Sequence, residues 1–200
     1  MGQAAHCEPV TRKRKRTVKH IAALLLIAPF ALAHAQMSPT LEDSLASIPN
    51  SGQRTAALRS YARTSDPETL LTIMRIARTI PNSSDKSRLL ETLAPRYLGG
   101  DSTLSRAYFR VVRTVPSSEE LSDLLIALVP YAAKSDQIAN AIIETARVVP
   151  SSPQRSDVLT ALVESGAVRS TTVRENFVDA TQDIPGENDR RQVMRAASRH

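Results

Sequence analysis

The chain has 200 residues, 42% of them hydrophobic, which suits one globular domain with a packed core. Aromatic residues make up only 4% of the chain and Trp is absent. The core therefore depends on Leu, Ile, Val and Ala, a composition that favours helices over a β-sandwich or barrel. The formal net charge is +6, and most of this excess lies in the N-terminal 35 residues.

The first segment of the chain has the pattern of a secretory signal peptide. A basic run from Arg12 to Lys19 is followed by the apolar stretch Ile21 to Ala33 and by an A-x-A sequence that ends at Ala35. The stretch has 13 residues, fewer than the roughly 20 that cross a bilayer, which favours cleavage over a retained membrane anchor. We expect a signal peptide at residues 1–35, cleavage after Ala35, and a periplasmic or secreted mature protein of residues 36–200.

The predicted mature segment is nearly neutral and poor in reactive side chains. It holds 20 Lys or Arg and 19 Asp or Glu. It therefore lacks the basic excess and the aromatic platforms that bind nucleic acid, and nucleic acid is excluded as a partner. Cys7 and three of the four His lie in the signal peptide, which leaves His200 as the only His. Disulfides, thiolate metal sites, Cys nucleophiles and His-based triads are excluded, and we expect no metal or cofactor.

An apolar residue followed by Pro recurs along the mature segment, at spacings of 32, 35, 34 and 35 residues. The flanking sequence recurs with it, as in ARTIPNSSDKSRLLETL, VRTVPSSEELSDLLIAL and ARVVPSSPQRSDVLTAL. A period of this length with self-similar flanks indicates a stacked array. The predicted repeats are about 49–80, 81–115, 116–149 and 150–184. The five steps are Ile48-Pro49, Ile80-Pro81, Val115-Pro116, Val149-Pro150 and Ile184-Pro185.

Each repeat is predicted to contain two helices, with capping residues at the start of each. The Pro closes the second helix, because it has no amide hydrogen and disfavours α conformation in the residue before it. Ser or Asn residues after the Pro can cap the first helices, with Ser83, Ser84, Ser117, Ser151 and Ser152 in the matching places, and the predicted caps of second helices are Asp66, Asp101, Asp136 and Ser170.

Apolar residues at i, i+3 and i+4 give each predicted helix one buried stripe. Pro95 and Pro130 are expected to end or kink first helices, and Gly99 and Gly166 lie where a helix should stop. The stripes are Leu89, Leu90 and Leu93; Leu121, Leu124, Leu125 and Leu128; Val158, Leu159 and Leu162; Leu70, Ile73, Met74 and Ala77; Leu104, Tyr108, Val111 and Val112; Ile138, Ile142 and Ala146; and Val173, Phe177 and Ala180.

With these repeats the chain resembles the bihelical α-solenoids, most closely a short HEAT-like repeat of exported bacterial type with I-P-S-x-x-x-x-S-x-x-L arrays. The resemblance covers nearly all of residues 39–198, with lone helices expected at 39–48 and 186–198 as caps. It implies an all-α fold, an α-α superhelix of about four helix hairpins. The period also suggests a tetratricopeptide array. That family comes second, because its Trp, Gly and Tyr are absent from KSRLLETLAPRY and ELSDLLIALVPY.

An Arg recurs in the last turn of the second helix, as Arg78, Arg113 and Arg147. One interpretation is a ladder that binds an acidic peptide or a phosphorylated ligand through charge-assisted hydrogen bonds. The other is that each cation complements the helix dipole and reaches free carbonyls or a neighbouring repeat. Because the Arg follows the scaffold period, the sequence favours the second interpretation.

Ser83 and Lys86 form an S-x-x-K pattern, which in serine acylases pairs a nucleophile with its activating Lys. The S-D-N and K-T-G partners are missing, and Ser recurs at this offset where Lys does not. A helix cap is therefore the better interpretation, and no catalytic residue is predicted.

The sequence predicts a non-catalytic interaction module that binds a protein or peptide along one face of the superhelix, by analogy with similar folds. It leaves the oligomeric state open. One alternative is a hydrolase or lyase that acts on glycans with carboxylates and Arg, which needs a deep pocket with convergent acids. Another is a detached accessory domain of a larger sensor or protease. The candidate binding residues, on the exposed side of first helices, are Arg54, Arg59, Arg88, Glu91 and Arg96.

Overall fold

The computed structural model describes residues 40–199, and all regular secondary structure in this range is helical. The all-α fold class is confirmed. The predicted signal peptide and its cleavage site at Ala35 lie outside the described residues. Within residues 40–199, no helix combines the length and apolar character that a bilayer crossing requires. The helices are α1 (Leu41–Ala46), α2 (Ser51–Ala62), α3 (Pro67–Arg78), α4 (Ser83–Tyr97), α5 (Ser102–Val112), α6 (Ser118–Ala132), α7 (Asp136–Ala146), α8 (Ser152–Glu164), α9 (Thr171–Gln182) and α10 (Glu187–Ala197).

The helices form two layers. The first helices α2, α4, α6 and α8 and the lone helix α10 pack side by side in one layer. The lone helix α1 and the second helices α3, α5, α7 and α9 pack side by side in the other. Each first helix also packs against the second helix of its own pair. Four pairs with a half-pair at each end therefore build a helical-repeat superhelix whose core lies between the layers.

The apolar-Pro step places a buried residue next to an exposed one. Ile80, Val115, Val149 and Ile184 are buried, whereas the Pro after each of them is exposed. Ile48, at the first step, is half-buried. The apolar residue thus fills the core where a second helix ends, and the Pro stops that helix at the surface.

The core contains every apolar residue of the predicted stripes. At its centre, the rings of Tyr97 and Tyr108 lie with centroids 5.8 Å apart. Each hydroxyl donates a 2.7 Å hydrogen bond to a backbone carbonyl, from Tyr97 to Leu70 and from Tyr108 to Leu90. Burial raises the pKa of both phenols above the ordinary value for Tyr. These bonds connect helices of the two layers, α4 to α3 and α5 to α4.

The helix caps differ in part from the prediction. Ser117 caps α6 as expected. Asn82, and not Ser83, caps α4 with its side chain. Ser135 occupies the cap position of α7, so Asp136 is the first helical residue and not the cap. In both corrected cases the chain turns one residue earlier than the sequence pattern suggests.

The ends of the first helices also differ in part from the prediction. Pro95 and Pro130 lie inside the last turns of α4 and α6, and both helices continue for two residues beyond them. Neither Pro ends its helix where it stands. Gly166 has a φ of 70° after α8, as expected of a stop, but after α4 the positive φ belongs to Gly100, at 132°, and not to Gly99.

Serines in the first turn of the first helices bond to the next repeat and do not cap their own helix. Ser83 accepts a hydrogen bond from the Ser117 amide at 3.3 Å. Ser84 donates one to the Glu120 carboxylate. Ser152, also predicted as a cap, likewise bonds to α10. Neighbouring first helices are therefore joined at their first turns.

A second row of serines, one turn further along the first helices, is buried and repeats the same connection. Each hydroxyl donates to a backbone carbonyl of the next first helix, which explains why Ser recurs at this offset. The bonds are Ser87 to Glu120 at 3.2 Å, Ser122 to Gln154 at 3.3 Å and Ser156 to Asp189 at 3.0 Å.

A cation at the fourth position of a first helix holds the ends of the two second helices beside it. Arg155 of α8 donates 2.9 Å hydrogen bonds to the carbonyl of Val149, after α7, and to the carbonyl of Asp183, after α9. These carbonyls have no partner within their own helices, so the guanidinium satisfies them and ties two repeats together. Arg54, Lys86 and Arg190 occupy the same position and also bind carbonyls of second-layer segments.

Candidate functional site

Helix α5 presents one stripe of arginines to solvent. Arg106, Arg110 and Arg113 are exposed, whereas the residues between them are buried. Their spacing of i, i+4 and i+7 places them on one face of the helix. Helix α5 has no acidic side chain to neutralise them. We call these three residues the α5 arginine stripe.

A groove of about 570 Å³ lies between α5 and α7. These two helices are the least closely packed of the neighbouring helices in their layer. The α5 arginine stripe forms one wall, and the floor is apolar. At the N-terminal end of α5, a second cavity of about 440 Å³ adjoins the groove. The groove is lined by Thr103, Ser105, Arg106, Phe109, Arg110, Arg113, Gln137, Ile138 and Ala141.

Two hydrogen bonds cross from α5 to α7. Gln137 donates to the Ser105 hydroxyl at 3.0 Å, and the Arg113 Nε donates to the Thr145 hydroxyl at 3.3 Å. From the first bond to the second, the bonded position moves eight residues along α5 and eight along α7, which is about 12 Å along a helix. The bonds therefore fix the separation of the two helices at both ends of the groove, with Arg110 between them.

A second groove, of about 480 Å³, lies between α3 and α5 and also contains Arg110. Arg75 and Arg78 of α3 contribute two further guanidinium groups. Arg75 forms an ion pair with Glu42 of α1 at 3.4 Å. Glu68 is the one acidic side chain among the lining residues. The arginines of α3 and α5 thus form one basic surface over two adjacent grooves.

The arginines of this surface differ in how many hydrogen bonds and ion pairs their guanidinium groups already make. Arg106 donates to the Ser102 carbonyl of its own helix at 3.1 Å, and Arg113 bonds to α7. Arg78 and Arg110 make no side-chain hydrogen bond or ion pair to any residue in the range 40–199. Their donors are therefore available to a ligand, with Arg110 between the two grooves.

Two of the predicted binding residues serve the scaffold. Arg54 is half-buried, and its Nη2 donates a 2.6 Å hydrogen bond to the Ile48 carbonyl. Arg96 is exposed, but its Nη2 donates to the Ser65 carbonyl at 2.7 Å. Both guanidinium groups hold connections between helices, so much of their hydrogen-bonding capacity is already engaged.

The other predicted residues lie on the first-helix layer. Arg88 and Glu91 are exposed on α4, and Arg59 is half-buried with an Nε that lacks a hydrogen-bond partner among residues 40–199. Arg59 and Arg96 line a groove of about 530 Å³ between α2 and α4. The structure does not bring Arg88 or Glu91 into this groove, so the five predicted residues do not form one site.

The predicted Arg ladder has mixed roles. Arg113 reaches Thr145 of the next repeat, and Arg147 forms an ion pair with Asp183 at 3.1 Å, at an angle unsuited to a hydrogen bond. These two match the expectation of contact with a neighbouring repeat. Arg78 does not. The carbonyls at the ends of the second-layer helices are bound instead by the cations of the first-layer helices, of which the sequence analysis had named only Arg54, as a binding candidate, and Lys86, in the S-x-x-K pattern.

The S-x-x-K pattern does not form a catalytic pair. The Lys86 ammonium is buried and donates to the carbonyls of Arg78 and Thr114, at 3.2 and 3.1 Å. Burial, and to a lesser extent the charge of Arg78, lowers the pKa of Lys86. The Ser83 hydroxyl accepts a hydrogen bond from the Ser117 amide, just before α6. Ser83 and Lys86 therefore bind the ends of different helices.

Acidic side chains gather at one open cavity of about 370 Å³ near α1, lined by Glu42, Asp66 and Glu68 among others. Asp66 caps α3, and hydrogen bonds from the amide and hydroxyl of Thr69 are the main reason that its pKa is lowered. A general acid needs a raised pKa. Among residues 40–199, no group of His, Cys, Asp and Glu has the arrangement of a metal site.

The sequence interpretation missed Arg106, Arg110 and Phe109, which form the wall and floor of the main groove. A signal was present, because Arg106, Arg110 and Arg113 have helical spacing within STLSRAYFRVVR. The repeat period does not single out this stripe, because only Arg113 recurs in both neighbouring repeats, as Arg78 and Arg147, whereas Arg110 recurs once, as Arg75, and Arg106 does not recur. Comparison of the chain with protein-family models, with curated proteins and with solved structures finds no match in any of the three.

Proposed function

We propose that this protein is a non-catalytic interaction module that binds a protein or peptide on the second-helix layer, at the grooves on either side of α5. The observation that supports it most is that Arg110, which has no side-chain hydrogen bond or ion pair to residues 40–199, lines two grooves that also contain apolar residues. Concave surfaces with an apolar lining and a few placed polar groups are typical binding sites.

Two further expectations are part of this proposal. One is that the helix pairs belong to the HEAT-like class, with the tetratricopeptide class second, for which the apolar-Pro ends of the second helices are the support. The other is that the protein acts in the periplasm or outside the cell after cleavage at Ala35. Its support is the basic, apolar and A-x-A order of residues 1–35.

Binding is favoured over catalysis by the side chains that line the grooves. Around α5 these are mainly Arg, Ser, Thr, Gln and apolar residues. Guanidinium groups stay protonated at neutral pH and bind anions, but they do not act readily as general bases. The acidic cavity near α1 is open, and Asp66 there is occupied as a helix cap.

The proposal is tested by photo-crosslinking from defined positions. A photoreactive amino acid replaces Thr103, which lines the α5–α7 groove, or Thr92, which lines the α2–α4 groove. We expect a discrete adduct from position 103, whose crosslinked segment is identified by mass spectrometry. A synthetic peptide with the sequence of that segment should compete for the adduct.

Thr92 is the matched control, because both positions are exposed threonines in helices. An adduct that forms only from position 92 would move the site to the first-helix layer. The absence of a specific adduct from both positions would contradict the proposal of a peptide-binding module.

A further inference from the structure

We infer that the groove between α5 and α7 binds an extended peptide in which acidic side chains alternate with apolar ones. This inference rests on the proposed function and specifies its ligand. The α5 arginine stripe pairs with the carboxylates, and Phe109, Ile138 and Ala141 receive the apolar side chains.

The charge distribution favours an anionic ligand at this half of the protein. Residues 40–115 contain eleven Lys or Arg and seven Asp or Glu, whereas residues 116–199 contain nine and twelve. The basic excess therefore lies in the half that holds α3 and α5. Ion pairs with exposed Arg are individually weak, but several guanidinium groups beside one groove act together on a ligand with several carboxylates.

The spacing of the stripe matches an extended peptide. Arg106 and Arg110 are four residues apart on one helix face, which is about 6 Å along the axis. Side chains on one side of an extended peptide recur about every 6.6 Å. Carboxylates at alternate positions of the ligand can therefore reach successive arginines without distorting either chain.

The floor of the groove distinguishes this ligand from a polyanion without apolar groups. Phe109 and Ile138 are almost fully buried and Ala141 is half-buried, so together they form an apolar surface beneath the arginines. Side chains at odd positions of an extended peptide point away from those at even positions. When even positions face the α5 wall, odd positions face Ile138 and Ala141 on α7.

The two hydrogen bonds that cross the groove limit the length of the bound segment. They lie about 12 Å apart along the helices, which corresponds to roughly four extended residues at 3.3 Å each. Four residues supply two carboxylates and two apolar side chains. This number fits Arg106 and Arg110 on the α5 wall, and Ile138 and Ala141 on α7.

The inference is tested with labelled synthetic peptides and the purified protein. The main probe is an eight-residue peptide in which Glu and Leu alternate, and binding is followed by fluorescence anisotropy. Two control peptides replace every Leu with Ser or every Glu with Gln. Inorganic polyphosphate serves as an anion without apolar groups. We expect the Glu-Leu peptide to bind at least tenfold more tightly than each control, with an affinity that falls as salt is added.

Substitutions test whether the peptide binds in this groove. Arg110→Ala removes a guanidinium that has no hydrogen-bond or ion-pair partner in the described range 40–199, and we expect it to weaken binding of the Glu-Leu peptide by about tenfold. Arg88→Ala is the matched control, because Arg88 is exposed on the other layer. It should leave the affinity unchanged. Ala141→Gln places a polar group at the floor and should also weaken binding, with helicity and the melting temperature recorded for every variant.

Each of the following outcomes would contradict the inferred ligand, the groove or the proposed function. Equal binding of the Glu-Ser peptide or of polyphosphate would overturn the inference in favour of a general anion site. Equal losses from Arg110→Ala and Arg88→Ala would show that the peptide does not occupy this groove. If position 103 crosslinks to a partner segment while the Glu-Leu peptide does not bind, the ligand class is wrong and the proposed function stands. If neither binds, both are wrong.

Discussion

Ser152 donates a 2.6 Å hydrogen bond from its hydroxyl to the carboxylate of Asp189, 37 residues further along the chain. The bond joins the first turn of α8 to the first turn of α10. The same Ser152 hydroxyl accepts a 3.0 Å hydrogen bond from the Gly186 amide. One side chain therefore fixes the start of α10.

The first prediction concerns this connection. Ser152→Ala removes a half-buried hydrogen bond to a charged group, and we expect it to lower the free energy of unfolding by about 1–2 kcal/mol. Ser118 is the matched control, because it is the first residue of α6 and its hydroxyl makes no hydrogen bond within residues 40–199. Ser118→Ala should change stability by less than about 0.5 kcal/mol. Urea unfolding of both variants, followed by circular dichroism, measures the difference.

The second prediction concerns the apolar-Pro step, where Val148 and Val149 are neighbours in opposite environments. Val149 is fully buried and Val148 is 54% exposed. Val149→Asp places a carboxylate in the core and should lower the free energy of unfolding by about 2 kcal/mol or more. Val148→Asp should have less than half that effect. Thermal and urea unfolding measure both, and equal losses would show that the step does not contribute a core residue.

The third prediction concerns Lys86, which binds the ends of two second helices. Lys86→Met leaves the partly buried carbonyls of Arg78 and Thr114 without this donor, and we expect a loss of about 1–3 kcal/mol in the free energy of unfolding. Lys86→Arg should retain most of the stability, because Arg54 and Arg155 already make such bonds at the equivalent position. The measurement is the free energy of unfolding in urea at pH 7. A loss from Lys86→Arg as large as that from Lys86→Met would contradict the role assigned to this cation.

The fourth prediction concerns pH. The pKa of Tyr97 is raised in the folded protein by burial, so above about pH 10 the unfolded chain loses the phenol proton and the folded chain keeps it. The contribution of neutral, buried Tyr97 to the free energy of unfolding is therefore fully present below pH 10. Above pH 10 this contribution falls by about 1 kcal/mol per pH unit.

Tyr97→Phe removes this dependence, so its stability should decline less steeply than that of the unmodified chain between pH 10 and 11. Comparison of the two chains at each pH cancels the titration of the other groups. Tyr61→Phe is the matched control for the loss of one Tyr hydroxyl, because Tyr61 is 46% exposed. Identical slopes for all three proteins would mean that Tyr97 is not held neutral by burial.

Much of the fold follows from the sequence because repeated local signals agree with each other. The Pro at each step, the buried residue before it and the apolar stripes all have short-range causes, namely a missing amide hydrogen and a helical period. These features predicted the helix pairs. The exact caps were less accurate, since Asn82 and Ser135 compete for the cap position with neighbouring residues of similar chemistry.

The candidate site was not predicted in the same way, because it depends on which arginines the scaffold already uses. Arg54 and Arg110 are both Arg on predicted helices, and no local pattern separates them. Arg54 binds the end of α1, whereas Arg110 has no partner between residues 40 and 199.

The sequence by itself determined the helical class, the repeat period and the apolar stripes, since these follow from composition, helical spacing and the recurrence of the Pro step. It did not determine the whole core, which also contains Tyr97 and Phe109. The tertiary structure decided which side chains join one repeat to the next and which remain available to a ligand. The physical reason is that most hydrogen bonds between repeats connect residues about 30 positions apart. Their partners become neighbours only when the repeats stack.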